Sequence, residues 1–333
     1  GDSRIRTAVS DRPLKISDNT NRALELASGD YLAFADHDDM LTDNALFECV
    51  KCVNQSPKTD LIYSDEDKIS ANGTLYFNPS FKPDFNIDLL RTVNYICHLL
   101  VVRVSLQKKV GLFRSEYDGA QDYDFIFRCI EKAEQISHIP MVLYHWRSHQ
   151  NSTAEKPESK EYAFMAGQRA IEAHYARVGI DAEVFPGEYP GLYRTRYRLK
   201  EKPMVSILIP NKDHTEDLKR CIDSIEEKSA YKNYEYIIIE NNSTEEKTFQ
   251  FYKKLEEQNP KVKVVYYKGT FNYSAINNFG ENYARGELLW LLNNDTSIIN
   301  EDCIEELVGY CCRDDVGIVG ARLYYEDGSI QHA

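Results

Sequence analysis

The sequence predicts an α/β protein with a mostly parallel sheet, in which one supersecondary unit is used twice. Shifting the 333-residue chain by 257 places Ser17, Asn21, Ala27, Gly29, Leu32, Asp38 and Glu48 on Ser274, Asn278, Ala284, Gly286, Leu289, Asp295 and Glu305. Such recurrence at a fixed spacing marks a reused unit. Each copy contains a short apolar run, Tyr31 to Ala35 and Leu288 to Leu292, that lacks period-2 alternation. Strands covered on both faces have that pattern. Each run ends in a polar tip followed by a helical pattern.

The elements follow in order. Gly29 and Gly286 stand where a preceding helix is expected to stop on a left-handed residue. Beyond the tips, Thr42 or Asp43 is placed to cap a helix carrying Leu46, Val50 and Val53, and Asn300 to cap one carrying Ile304, Leu307 and Cys311. Cys49 and Cys52 form a CxxC, but they share that first helix's apolar face, so buried thiols are expected rather than a metal or redox pair.

The second copy is preceded by a strand from Met204 to Ile209 ending in Pro210, a helix with Leu218, Cys221, Ile222 and Ile225, and a strand from Tyr236 to Ile239. The first instead continues through Asp122 and His145 to a helix near Glu161 to Arg177. Pro186, Gly187, Pro190 and Gly191, then Lys200 to Lys202, mark a boundary near residue 200. Residues 1–200 and 203–333 therefore read as two partial modules in tandem, truncated at both ends of the chain.

Composition narrows the function. A net charge of −13 gives no clustered basic surface for nucleic acid or anionic lipid. No apolar run approaches the ~20 residues that span a bilayer, and no signal peptide opens the chain, so a cytoplasmic protein is expected. The eight cysteines lack the dense spacing of a secreted disulfide scaffold.

The sharpest local signal is Asp36-His37-Asp38-Asp39 after an apolar run. Paired carboxylates can hold a hard divalent cation while leaving positions open for phosphate oxygens. An acidic loop at a helix start has the same composition. Tyr63-Ser64-Asp65-Glu66-Asp67 is a second acidic cluster, equally readable as solvated loop charge. Asp122 precedes the apolar run Phe125-Ile126-Phe127, which places it at a helix start where a general base can face a cleft. His145 lies beside Trp146 and Arg147 as a metal ligand or as an ordinary core or surface histidine.

Together these motifs resemble a known family. The run Asn19 to Asp39, with Asp65-Glu66-Asp67-Lys68, Asn94-Tyr95-Ile96-Cys97-His98, Gln121-Asp122-Tyr123-Asp124 and His145-Trp146-Arg147, is similar to the later two thirds of a family 2 glycosyltransferase of the GT-A fold. The segments Val205 to Pro210, Glu240-Asn241-Asn242-Ser243, Phe271 to Asn278 and Asn293-Asn294-Asp295 resemble the front half of another. Such tandem enzymes build bacterial O-antigen, rhamnan and S-layer glycans.

The resemblance implies an inverting transfer from a UDP-, dTDP- or GDP-sugar to a hydroxyl of a glycan or lipid-linked glycan, with peripheral association at the inner face of the membrane. It implies Mn2+ or Mg2+ held by Asp36 and Asp38 with His145 completing the shell, and Asp295 as the second copy's metal carboxylate. Asp122 would be the catalytic base. Pro210, Asp213, Glu240, Asn241, Asn278 and Asn293 would lie on the donor side, and Asp65, Glu66, Asn94, His98 and Gln121 on the acceptor side. Two departures stand out: Gln121 precedes the base where the family has Glu, and Asn293 replaces the second copy's first carboxylate. The rival readings are a non-catalytic glycan- or partner-binding fragment, and a phosphotransferase in which Asp36 is the nucleophile.

Overall fold

The computed structural model describes residues 2–148 and 161–332. The chain divides into two compact units, Gly1–Arg196 and Tyr197–Ala333. No helix among the described residues is long and apolar enough to cross a membrane.

The first unit runs α1 (Ile16–Leu24), β1 (Tyr31–Phe34), β2 (Met40–Leu41), α2 (Ala45–Gln55), β3 (Thr59–Ile69), β4 (Tyr76–Ser80), α3 (Ile87–Thr92), β5 (Leu100–Arg103) and α4 (Val104–Val110). It continues with α5 (Gln121–Ile130), β6 (Gln135–Arg147), α6 (Glu161–Val178) and the paired strands β7 (Ala182–Pro186) and β8 (Tyr193–Tyr197). Its sheet has the order β1-β5-β3-β6-β2, with β4 also on β3. Central β3 is buried on both faces through Leu61, Ile62 and Tyr63, as its neighbours on either side require.

The second unit contains β9 (Val205–Asn211), α7 (Thr215–Lys228), β10 (Tyr234–Glu240), α8 (Glu246–Gln258), β11 (Val262–Tyr266), α9 (Tyr273–Glu281), β12 (Leu288–Leu291), α10 (Cys303–Cys311) and a short pair, β13 (Leu323–Tyr324) and β14 (Ile330–His332). The order is β11-β10-β9-β12, and every pairing is parallel. Side chains of β9 alternate across the sheet. Val205, Ile207 and Ile209 pack with Leu218, Cys221, Ile222 and Ile225 of α7, while Leu208 faces Ile276 of α9.

The repeat is realised in structure: α9 and β12 begin and end 257 residues after α1 and β1. Several expectations are corrected. The sheet is parallel in the second unit but mixed in the first, where β1 pairs antiparallel with β5, β5 antiparallel with β3, and only β3 with β6 is parallel. The copies meet different neighbours, β9 for β12 and β5 for β1, and the direction of the neighbour sets the pairing. Nor is β12 covered on both faces; it is a sheet edge, with Leu289 and Leu291 exposed at 44% and 48%.

Neither Gly29 nor Gly286 has a positive φ. Position 286 needs glycine because a Cβ there would meet the Met204 carbonyl oxygen at 2.6 Å and the Ser206 nitrogen at 2.7 Å. Asn44 and Asp302, rather than Thr42, Asp43 or Asn300, occupy the N-cap positions of α2 and α10. Helix α2 turns Ala45 and Cys49 inward and leaves Leu46 and Val50 exposed. Burial pushes the Cys49 thiol up to about 11, which suits a core thiol.

Candidate active site

The tip after β1 is held from β6. Tyr144 accepts the Asp36 backbone N–H at 3.1 Å and donates its hydroxyl to the Asp39 carboxylate. Arg147 donates its backbone N–H to Asp39 at 2.8 Å and its Nε to the Asp38 carbonyl oxygen at 2.6 Å. A loop between charged residues is thereby fixed, which preorganises its carboxylates.

Three potential ligand groups converge there. One carboxylate oxygen each of Asp36 and Asp39 and a ring nitrogen of His98 lie within 4.8 Å of one another. The His98 Nε2 is 3.8 Å from Asp36, and its ring stacks on Tyr144 at 4.8 Å. Although the Asp36 side chain is 63% exposed, its carboxyl is raised above the ordinary range. Desolvation is the largest cause, repulsion from Asp39, Asp38 and Asp122 adds to it, and His98 opposes it.

His98 is set in place by a buried ion pair. Its backbone N–H donates to Glu66 at 2.6 Å, and Lys82 donates to Glu66 at 3.2 Å, to the Ile96 carbonyl at 3.2 Å and to the His98 carbonyl. Lys82 is 7% exposed, and burial is the main cause lowering its ammonium pKa, opposed by Glu66. A buried charge pair is costly and needs every bond it can make. Here those bonds clamp the loop that follows α3. The same loop carries Asn94, whose amide donates to Asp122 at 2.9 Å in the first turn of α5. Burial, followed by the Asp122 charge, pushes the Cys97 thiol well up.

The structure thus brings together Asp36, Asn94, His98 and Asp122 from the expected set, and adds Asp39 and Lys82. Glu66 supports His98 from behind. Asp65 is not on a solvated loop but lies buried within β3, accepting from the Lys82 backbone N–H at 2.9 Å and bonded to His138 at 2.8 Å. Gln121 turns back to accept the Gly119 N–H at 2.9 Å. His145 stands outside the cluster, because the β3–β6 register sets it opposite Asp67, to which its Nδ1 bonds at 2.5 Å. Asp38 is also outside it; its carboxylate lies 3.7 Å from the His37 ring.

In the second unit, a cavity of about 300 Å³ opens at the carboxyl ends of the parallel strands, lined by Pro210, Asn211, Lys212, His214, Asn241, Asn242, Phe271, Ile276 and Asn294. Strand order reverses about β9 there, the usual place for a ligand crevice in such sheets. Pro210 and Asn241 line it as expected; Asn278, Asn293 and Asp295 are exposed nearby in sequence but not in its wall. Asp213, at φ +60°, instead caps α8, accepting the N–H groups of Thr244 and Glu245, each at 3.0 Å, and the Thr248 hydroxyl at 3.2 Å. Glu240 is buried and accepts from Tyr252 at 2.8 Å and from the backbone and hydroxyl of Ser243.

Comparison with known proteins places these features. The family described as "Glycosyl transferase family 2" matches residues 1–111 and 206–332. The uncharacterized protein y4gI of Sinorhizobium fredii is 42% identical over all of this chain, which spans 37% of its length. The O-antigen biosynthesis protein RfbC of Myxococcus xanthus is 36% identical, again over the whole chain, which spans 26% of that protein. Among solved structures, the mannosyltransferase PcManGT from Pyrobaculum calidifontis, in complex with GDP-Man and Mn2+, aligns with 49% of this chain and 46% of its own at 17% identity and a TM-score of 0.33.

Proposed function

Since the chain belongs to glycosyltransferase family 2, we propose that it carries the acceptor and metal side of one sugar transferase in residues 1–200 and the nucleotide side of a second in 203–333. The reaction is transfer of a sugar, with inversion, from a UDP-, dTDP- or GDP-sugar to a hydroxyl of a surface glycan or its lipid-linked precursor. The observation that carries this is the convergence of Asp36, Asp39 and His98 at a strand tip whose electrostatics also include Asp122.

Two carboxylates and an imidazole are a donor set suited to Mn2+ and compatible with Mg2+. Asp36, Asp39 and His98 would hold the ion, with His98 in the place first expected of His145. When bound, such an ion neutralises the charge developing on a departing diphosphate.

The remaining chemistry belongs to side chains. Asp122 removes the proton of the acceptor hydroxyl, and the Asn94 amide orients its carboxylate. The acceptor oxygen attacks the anomeric carbon opposite the leaving group, so no covalent enzyme intermediate forms. Glu66 and Lys82 keep His98 and Ile96 in position, in the loop that also carries Asn94. On the donor side of the second unit, Pro210 and Asn241 line the nucleotide cavity, Asp213 and Glu240 fix its loops, and Asn278 and Asn293 lie near its lining residues Ile276 and Asn294 in sequence.

The test is turnover by the full-length protein against a panel of UDP-, GDP- and dTDP-sugars with a glycan acceptor, in Mn2+ and in EDTA. Release of nucleoside diphosphate in Mn2+, abolished by Asp36→Asn, is expected. Equal turnover in EDTA, or none with any donor, would reject the reading.

A further inference from the structure

The two strand tips are related by the repeat but carry different charges. Where the first has Asp36-His37-Asp38, the second has Asn293-Asn294-Asp295. Asp295 is the one carboxylate of that tip. The two other acids expected beside the crevice are committed elsewhere: Asp213 caps α8, which holds its carboxyl below the usual range, and Glu240 is sealed beneath Ser243 and Tyr252. Among the described residues, no group of three ligand side chains occurs in this unit. The second crevice therefore offers a divalent ion the single carboxylate of Asp295 in place of the first tip's convergent ligands.

Its floor is built from neutral donors instead. Asn294 donates to the Asn211 side-chain oxygen at 2.6 Å, Asn211 donates to the Tyr252 hydroxyl at 2.7 Å, and Tyr252 donates to Glu240 at 2.8 Å. Asn211 and Glu240 are each 3% exposed, so this relay is an ordered wall rather than a solvated surface. The first donor of the relay, Asn294, stands next to Asn293, the residue that replaces the motif's first carboxylate. Asn241 is likewise fixed, donating to the carbonyls of Tyr267 at 3.2 Å and Gly269 at 2.9 Å.

Above this floor stands an available cation. Lys212 lines the cavity and makes no ion pair with any described residue, whereas His214 lies 3.4 Å from Asp217. Phe271, 69% exposed, lines the same cavity and offers an aromatic face, on which any base can stack.

We infer that the second unit's crevice binds a nucleoside diphosphate without a divalent cation, with Lys212 as the counter-charge to the phosphates. This rests on the reading of the chain as a nucleotide-sugar enzyme, and it divides the labour: the first tip works through an ion and the second through a lysine. An ammonium is suited to the second role because it meets phosphate as a compact point charge.

The test is calorimetric titration of UDP, GDP and dTDP into the full chain carrying Asp36→Asn and Asp39→Asn, which removes both carboxylate ligands of the first tip. At least one nucleotide should bind with the same Kd, within about twofold, in EDTA and in Mn2+, and Lys212→Met should weaken it by about tenfold or more, as loss of a charge-assisted contact does. Lys212→Arg should retain most of the affinity. Binding that requires Mn2+, binding indifferent to Lys212→Met, or no binding of any nucleotide would each overturn the inference. The transferase reading fails on a separate result, the absence of Mn2+-dependent turnover in the full-length protein.

Discussion

The Asn94 side-chain amide donates to the Asp122 carboxylate at 2.9 Å, joining the loop after α3 to the first turn of α5. Asp122 is the proposed base, and this bond orients its carboxylate. In the full-length protein, Asp122→Asn should lower kcat by roughly 10²–10⁴-fold, the usual worth of a positioned base, with donor Kd changed less than about twofold. Asn94→Ala should cost less, roughly tenfold in kcat, because the carboxylate remains but is no longer oriented. Single-turnover kinetics with a nucleotide-sugar separate the two effects.

The proposed ion ligands are distinguishable by titration. His98→Gln should weaken Mn2+ binding by roughly tenfold or more, in the range lost when metal-site groups are removed. His145→Gln should leave it unchanged, since that ring is spent on Asp67. Electron paramagnetic resonance of free Mn2+ measures both without reference to activity.

Lys82 and Glu66 form a pair that should tolerate joint removal better than single removal. Lys82→Met should destabilise the protein by about 3 kcal/mol, because the half-buried Glu66 loses its counter-charge. Adding Glu66→Leu should recover part of that loss. Urea denaturation of the two variants is the check, and an additive second loss would contradict the pairing.

His174 supplies the pH dependence. Its Nε2 lies 3.3 Å from the Arg91 guanidinium, its Nδ1 bonds Glu131 at 2.8 Å, and Arg177 also holds Glu131. Burial is the main cause lowering its pKa from 6.5, with Glu131 opposing and Arg91 assisting. The folded state therefore keeps the ring neutral where the unfolded chain already binds a proton. Stability should be full above pH ~6.5 and fall as the pH drops below it, levelling beneath the folded pKa. His174→Gln should flatten this part of the thermal-midpoint profile, and an unchanged slope would contradict the assignment.

Gly286 tests the packing of the second unit. Gly286→Ala should cost about 1–3 kcal/mol, since the new methyl meets backbone that cannot yield easily. Gly317→Ala, with nothing within 4 Å, should be tolerated.

Much of the fold was legible because the repeat preserves both composition and spacing. The limits of α1 and β1 recur in α9 and β12, and the apolar positions of α7 are all buried. Strand direction was not legible, because apolar runs of the same kind serve as the sheet edges β1 and β12, each beside a different neighbour. The site shows the same limit. Asp36 and Asp122 stand out locally, whereas the choice between His98 and His145 depends on cross-strand register, which places Asp67 beside His145. Lys82 gave no local signal at all; its role comes from burial against residues distant in sequence.

The most direct measurement is an anomalous difference map from crystals of this chain soaked in Mn2+ with a nucleoside diphosphate. A peak bounded by Asp36, Asp39 and His98 is the predicted result. A peak between Asp38 and His145, or no peak at the β1 tip while the ion is bound elsewhere, would contradict it.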